Sequence, residues 1–593
     1  MSYQAPLSEY RFLLDDVLGL SEIPSLSPEG AIDSGTVDAV LEEGARFAEE
    51  RLAPTNRDGD TEGARLTPTG VLAPASFKDV YADFVAGGWN GVSFPPEYDG
   101  MGLPELLSAV LQEMWQSANM SFSLCPLLTQ GAVELLLRFG TPEQKALYAK
   151  PMVSGRWTGT MNLTEPQAGS DLGATRALAE PTGAPGRFRL RGQKIFITWG
   201  EHDLAENIVH MVLARTPDAP EGTRGLSLFI VPRRCPKEDG TPGEENDLRA
   251  VSIEHKLGIH GSPTCVMSYG DKGGAEAWLI GEQHQGLAAM FLMMNRARLS
   301  VGQQGVAVSE AAFQAARRYA RERVQGADPS GGGGRVTIAH HPDVRRMLWL
   351  MKSQIEAMRL VALDAFRSLD LSERGRGAEK DRHARRVALL TPIVKGWCTE
   401  TGNETATIGI QVHGGMGFVE ETGAAQYLRD VRITTIYEGT TGIQSNDLIG
   451  RKFGRDQGAA MHALVSDMRR ELQSLEVSVP AVSQVREATV QAVERLEHAT
   501  RALLADMAES PAHGFAVSVP YLKLCGLVIG GWLLAKSAAI AARRLDGEEH
   551  AFYHAKIRTA HFYAKQVLPA AAMLAQVVEG GASSVLETGA EYI

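Results

Sequence analysis

Glu438 lies between Tyr437 and Gly439 in a mostly uncharged stretch, Ile436 to Gln444, where desolvation would raise a carboxyl pKa toward that of a useful general base. A single glutamate does not define a reaction. Upstream of it run Gln411-Val412-His413-Gly414-Gly415-Met416-Gly417-Phe418 and then Arg429-Asp430. Two other stretches share this polar, glycine-rich character. In Thr160 to Asp171, glycine and hydroxyl residues could expose backbone N–H groups to a phosphate or a flat cofactor ring, although on spacing alone an ordinary turn is the better reading. Gln193 to Gly200 reads as a strand ending in an aromatic and a hydroxyl that suit a planar ring, or simply as a packed strand end. Histidines offer little for a metal. His340-His341 are adjacent before Pro342, and His413 has no Cys or carboxylate near it at ligand spacing.

These stretches fall at changes of periodicity, where ligand sites tend to form between domains. The pattern is mainly α with a central β domain. It predicts an N-terminal extension over 1–36, a helical domain over 37–158, a β domain over 159–280, a helical domain over 281–455 and a C-terminal helical domain over 456–593. The β domain is read from short β-branched runs such as Ile208 to Leu213 and Leu226 to Val231, separated by Gly/Pro turns. Helical periods return in Phe291 to Arg323, Pro342 to Leu371 and Arg382 to His413. Gly331 to Gly334 follow no recognisable strand, so they read as a loop rather than a phosphate cradle. In the last segment Met461, Leu464, Met468, Leu472 and Leu475 recur at spacings of three and four, the stripe of a packed bundle.

At 593 residues, with 44% hydrophobic and 22% charged, the chain is long enough for several cores and excludes a disordered, collagen-like or coiled-coil protein. A net charge of −12 argues against whole-surface affinity for nucleic acid or anionic lipid. Five scattered cysteines, with no close pair, point to a reducing, intracellular compartment. Met1 to Leu20 carries Glu9, Asp15 and Asp16 and does not read as a signal peptide. The longest apolar run, Leu524 to Ala535, is 12 residues and too short to span a bilayer.

Taken in order, the motifs Thr164-Glu165-Pro166 with Gly169-Ser170-Asp171, Gly192-Gln193-Lys194 with Ile197-Thr198, Arg321-Glu322-Arg323, Gly414-Gly415 with Gly417-Phe418, and Tyr437-Glu438-Gly439-Thr440 resemble the acyl-CoA dehydrogenase family. The resemblance covers about Val37 to Lys452, and the extension and tail look like the long bacterial branch that includes fatty acyl-CoA and 3-methylmercaptopropionyl-CoA dehydrogenases. It implies that Met161, Leu163, Thr164, Gly169 and Ser170 line an FAD, with Phe196, Ile197 and Thr198 on its other side. Phe196 stands where the family commonly has Trp, which keeps ring stacking and loses an indole N–H. Arg323 would meet the FAD pyrophosphate, Gln411, Gly414 and Gly415 the FAD of a neighbouring subunit, and Thr440 with Gly442 would complete the site. Gly442 replaces a frequent Gln.

The implied reaction takes an acyl-CoA to its trans-2-enoyl-CoA: Glu438 removes the α-proton and the β-hydrogen leaves as hydride to flavin N5. Relatives that carry the base on the earlier helix are not matched, since Gln283 to Ser309 contains no Asp or Glu. Ser170, Asn295, Arg298 and Gly439 are implied on the substrate side, Asn295 and Arg298 toward CoA. Fatty acid β-oxidation in the cytoplasm, electron transfer flavoprotein as acceptor and a homodimer follow as expectations. An oxygen-using acyl-CoA oxidase is the alternative within the class. A DNA-binding flavoprotein of the superfamily is the rival outside it, and a tail with 12 basic and 15 acidic residues from Asp456 onward speaks against it.

Overall fold

The computed structural model describes residues 3–24, 33–587 and 589–592, so residues 1, 2 and 25–32 of the expected extension lie outside the described residues. A first helical layer is built on α1 (Glu105–Ala118) and α2 (Met120–Phe139). Asn119 separates them and caps α2 by accepting the Phe122 N–H at 3.0 Å.

Eight strands form the central sheet: β1 (Trp157–Asn162), β2 (Leu178–Pro181), β3 (Arg187–Thr198), β4 (Asn207–Arg215), β5 (Leu226–Pro232), β6 (Leu248–Ile253), β7 (Thr264–Tyr269) and β8 (Ala275–Leu279). Their order is β6-β7-β3-β8-β5-β4-β1, and β2 pairs with both β3 and β4. That double pairing closes a barrel-like ring of β3, β8, β5, β4 and β2, while β1 runs parallel to β4 with Trp157 opposite Asn207. The largely apolar run of β4, interrupted by the buried His210, follows from burial on both faces. Val209, Met211 and Leu213 pack with Leu127, Leu128 and Leu136 of α2, whereas Val212 and Ala214 join Leu190, Phe229 and Val231 in a second core.

Three long helices follow: α3 (Gly286–Glu322), α4 (Pro342–Arg374) and α5 (Gly377–His413). Between α3 and α4 the four glycines are the turn of a hairpin whose strands are Val324–Ala327 and Arg335–Thr337. A strand does precede them, contrary to the sequence reading, but another strand follows, so no helix N-terminus faces the loop. After α5, a short helix α6 (Thr441–Asn446) leads to the tail, α7 (Ala459–Ser474), α8 (Pro480–Glu509), α9 (Pro511–Ala542), α10 (His550–Gln566) and α11 (Ala570–Gly580).

The tail is a bundle with a shared core. Met461, Leu464, Met468 and Leu472 are buried, and the same apolar cluster continues through Tyr521, Val528 and Trp532 of α9 into Ala357 and Leu360 of α4 and Ile393 and Trp397 of α5. The approach is close: a Cβ at Gly526 would lie 2.2 Å from the Trp397 ring. The 12-residue apolar run belongs to the 32-residue α9, so its length gives no ground against a span. Both α2 and α9 are long and apolar enough to cross a membrane, and 89% of that window in each is buried inside the protein. The N-terminal segment is core as well. Phe12 packs edge-on against Phe552 and Tyr553 of α10, with centroids 5.7 and 5.9 Å apart.

Candidate active site

The first two glycine-rich stretches meet on the sheet. Ile195 N–H donates to the Thr164 carbonyl at 2.9 Å, and Lys194 Nζ reaches the Leu163 carbonyl at 2.9 Å and Glu165 Oε1 at 2.8 Å. Burial brings Lys194 down to about 8, opposed by Glu165. Desolvation works against the Glu165 carboxylate too, but Lys194 and the N–H groups of Arg176 and Ala177 hold it below its ordinary range. This buried pair staples Leu163–Glu165 to β3. Removing one partner would strand the other charge, a cost of about 3–5 kcal/mol. Neither residue stood out in the sequence as structural, because their positions are 29 apart and only folding makes them adjacent.

At the end of β3 the register against β7 shifts between Met267 opposite Lys194 and Cys265 opposite Ile197. The bulge turns Phe196 outward, with φ +59° and 59% of its surface exposed, while Ile197 is buried beneath it. A large aromatic held in left-handed backbone and left uncovered is an observed outlier of the kind found at ligand sites. Gly169 and Ser170 are exposed close by in sequence to Thr164, and a Cβ at Gly169 would meet nothing within 4 Å. An open aromatic face beside hydroxyls and accessible backbone suits a planar, polar-edged ring system such as a flavin. Met161 is half-buried at the end of β1, Leu163 is buried, and Thr198 is half-buried.

The Glu438 loop is built separately, between α3 and α5. Glu438 has φ +56° and Gly439 φ +89°, so two successive left-handed residues make the turn, and the first of them is not a glycine. Gln444 Nε2 donates to the Glu438 carbonyl at 3.0 Å, and Tyr437 OH donates to Gln304 Oε1. Thr440 caps α6 by accepting the Ile443 N–H at 3.2 Å, with Gly442 half-buried in its first turn. Glu438 keeps some surface, yet its carboxyl is crowded. Burial pushes it up to about 7, against the opposing pull of Arg298 and Lys395. Arg298 and Asn295, expected together, are in contact but differ in exposure: Asn295 is exposed and accepts from Arg298 Nη1 at 3.4 Å, while Arg298 is 4% exposed with Nη1 3.5 Å from Asp447 Oδ2.

Arg323, Gln411, Gly414 and Gly415 form a third, distant group. Tyr319 and His413 rings lie 4.7 Å apart, so the ends of α3 and α5 are neighbours. Along α3, the 25 residues from Arg298 to Arg323 correspond to about 37 Å at the helical rise. Arg323 therefore goes with Gln411, Gly414 and Gly415, and not with Glu438. This end is exposed and apolar: Phe418 is 87% exposed, with Met416 and Val419 beside it.

Lys395 and Gln304 are the site residues that sequence reasoning missed. Each had a faint signal, a lysine amid Leu389 to Cys398 and a Gln pair amid apolar and small residues.

The acyl-CoA dehydrogenase N-terminal, middle and C-terminal domain models match residues 36–156, 160–271 and 284–453, and a model described as acetyl-CoA dehydrogenase C-terminal like matches 460–588. The chain is 46% identical to 3-methylmercaptopropionyl-CoA dehydrogenase of Ruegeria pomeroyi, covering 96% of each. It is 34% identical to the broad-specificity linear acyl-CoA dehydrogenase FadE5 of Mycobacterium tuberculosis, over 99% of this chain and 98% of that one. Among solved structures, Caenorhabditis elegans ACDH-11 in complex with C11-CoA shares the fold at a TM-score of 0.78 and 22% identity, over 99% of this chain and 96% of that one. Bacillus anthracis acyl-CoA dehydrogenase complexed with FAD does so at 0.74 and 19%, over 98% and 92%. With four consecutive domain models in order and a relative matched almost end to end, this chain belongs to the acyl-CoA dehydrogenase family.

Proposed function

We propose that the protein dehydrogenates a saturated acyl-CoA thioester to the trans-2-enoyl-CoA, with Glu438 as base. The observation that carries this reading is Glu438 itself, a carboxylate on a strained turn, raised by burial to about 7 and flanked by Arg298 and Lys395. A base titrating near the working pH combines adequate ionisation with proton affinity. Below that value it is protonated and inert, so activity should fall as pH drops through about 7. Arg298 favours the carboxylate and is itself anchored by Asp447. Exposed Asn295, together with Ser170 and the Gly439 backbone, is left to meet the thioester and its CoA arm.

FAD is the cofactor, and when bound it supplies the hydride acceptor. Phe196, Ile197 and Thr198 would lie against it, with Met161, Leu163, Thr164, Gly169 and Ser170 on the other side and Thr440 and Gly442 from the Glu438 loop. Arg323, Gln411, Gly414 and Gly415 would reach the cofactor of a second copy, and exposed Phe418, Met416 and Val419 beside them favour a homodimer. Free thiols at all five cysteines suit the cytoplasm. Electron transfer flavoprotein is the proposed acceptor, in fatty acid β-oxidation or in oxidation of a short thioether acyl group like that named for the Ruegeria relative.

Anaerobic mixing with a panel from butyryl-CoA to palmitoyl-CoA, with 3-methylmercaptopropionyl-CoA included, tests the substrate class. Rapid flavin bleaching by at least one member is expected, and a panel that leaves the flavin oxidised would refute the assignment. Phe196→Ala should weaken FAD retention measurably by fluorescence titration while leaving apoprotein stability within about 0.5 kcal/mol, because an exposed ring contributes little to the fold. Unchanged FAD affinity would remove Phe196 from the cofactor site.

A further inference from the structure

Lys395 is 0% exposed, midway along α5 among Leu389, Leu390, Ile393, Val394 and Trp397. A buried ammonium is costly unless it is partnered. Among the described residues its hydrogen bond goes to the Gly439 carbonyl, and no carboxylate stands within ion-pair distance. That carbonyl belongs to the second of the two left-handed residues, and Gln444 holds the carbonyl of the first. The turn is thus gripped from α5 on one side and α6 on the other.

We propose that Lys395 is a positioning residue for Glu438: its ammonium grips the Gly439 carbonyl to hold the strained turn, and its charge, beyond ion-pair distance of the base carboxylate, favours the ionised form. The proposal rests on the reading of Glu438 as base. Two functions are combined in one side chain, a donor that fixes backbone and a charge that favours the ionised base. The groups facing Glu438 are few: Arg298 from α3, Lys395 from α5 and Tyr437 from its own segment, with Asp447 and Arg451 acting on Arg298 and Glu400 on Lys395. Burial brings Lys395 down to about 7, opposed by Glu438, so each group sustains the other's charge near neutrality.

Three variants of the FAD-loaded full chain separate the two functions. Lys395→Gln keeps a donor and loses the charge. The acid limb of its kcat/KM profile with butyryl-CoA should therefore move up by about one pH unit, the lower end of the effect of a close opposite charge, with the alkaline plateau retained. Lys395→Met loses both, so its plateau should also fall about tenfold and amide hydrogen exchange over residues 437–442 should accelerate. Lys395→Arg should retain the wild-type limb. If Lys395→Met does not fold, the Gln and Arg pair still decides the matter through the pH limb. Profiles of Lys395→Gln that superimpose on wild type would overturn the proposal. Glu438→Gln measured alongside keeps the two claims apart: if it still bleaches flavin quickly, the base assignment has failed. If it is inert while Lys395→Gln is unchanged, only the positioning role has failed.

Discussion

A chain ending at residue 455 is expected to lose its native fold or aggregate, with no soluble dimer of wild-type stability. Truncation removes Tyr521, Leu522, Leu524, Val528, Ile529, Trp532 and Leu533, members of the apolar cluster that continues into α4 and α5 and all of them at most 1% exposed in the intact protein. A fully buried large side chain contributes about 1.5–3 kcal/mol, so these few alone rival the roughly 5–15 kcal/mol net stability of a typical domain. The loss is electrostatic as well. Lys556 Nζ lies 2.6 Å from Glu9 and 2.7 Å from Glu356, all three buried, and its removal takes this partner from both carboxylates, leaving Glu356 with Lys352. Arg382 and Asp467, 2.6 Å apart, and the Arg386 guanidinium over the Trp532 ring are further ties across the same seam. Size-exclusion chromatography and thermal melting check this. A truncated protein that elutes and melts as the intact one does would mean that the tail is an independent module.

Much of the architecture was legible because it rests on local periodicity. Of the stripe, Met461, Leu464, Met468 and Leu472 are buried as their spacing required and Leu475 is half-buried just past the helix end, while the largely apolar run of β4 lies in a strand covered on both faces. What depends on distant pairing was not legible. Nothing local marks β2 as the strand that bridges β3 and β4, or the segment around Phe12 as a wedge against α10. The same division runs through the site. Glu438 could be singled out by its uncharged surroundings, and burial does raise it. Its left-handed backbone, the Lys395 grip and the turning-out of Phe196 arise only when α5, α6 and the β3–β7 bulge are assembled. Arg298 illustrates the limit: the resemblance implied a place toward CoA, and only the folded packing of α3 shows it 4% exposed and 3.5 Å from Asp447.

Glu438→Gln carries the central claim. The substitution preserves shape and removes the ability to accept the α-proton, and loss of a general base costs about 10²- to 10⁴-fold. Between Gln283 and Ser309, α3 has no Asp or Glu to take its place. The side-chain amide cannot ionise, so raising the pH should not restore the rate, unlike in Lys395→Gln. FAD should be retained, since Phe196 on β3 and Thr164 and Gly169 in the loop after β1 are untouched by the change. The direct measurement is anaerobic stopped-flow mixing of wild type and Glu438→Gln with an acyl-CoA that the wild type oxidises. Rapid bleaching of the wild-type flavin and a variant that binds the ligand yet stays yellow is the expected result. Bleaching of the variant at a comparable rate would contradict the account and move the base to another residue.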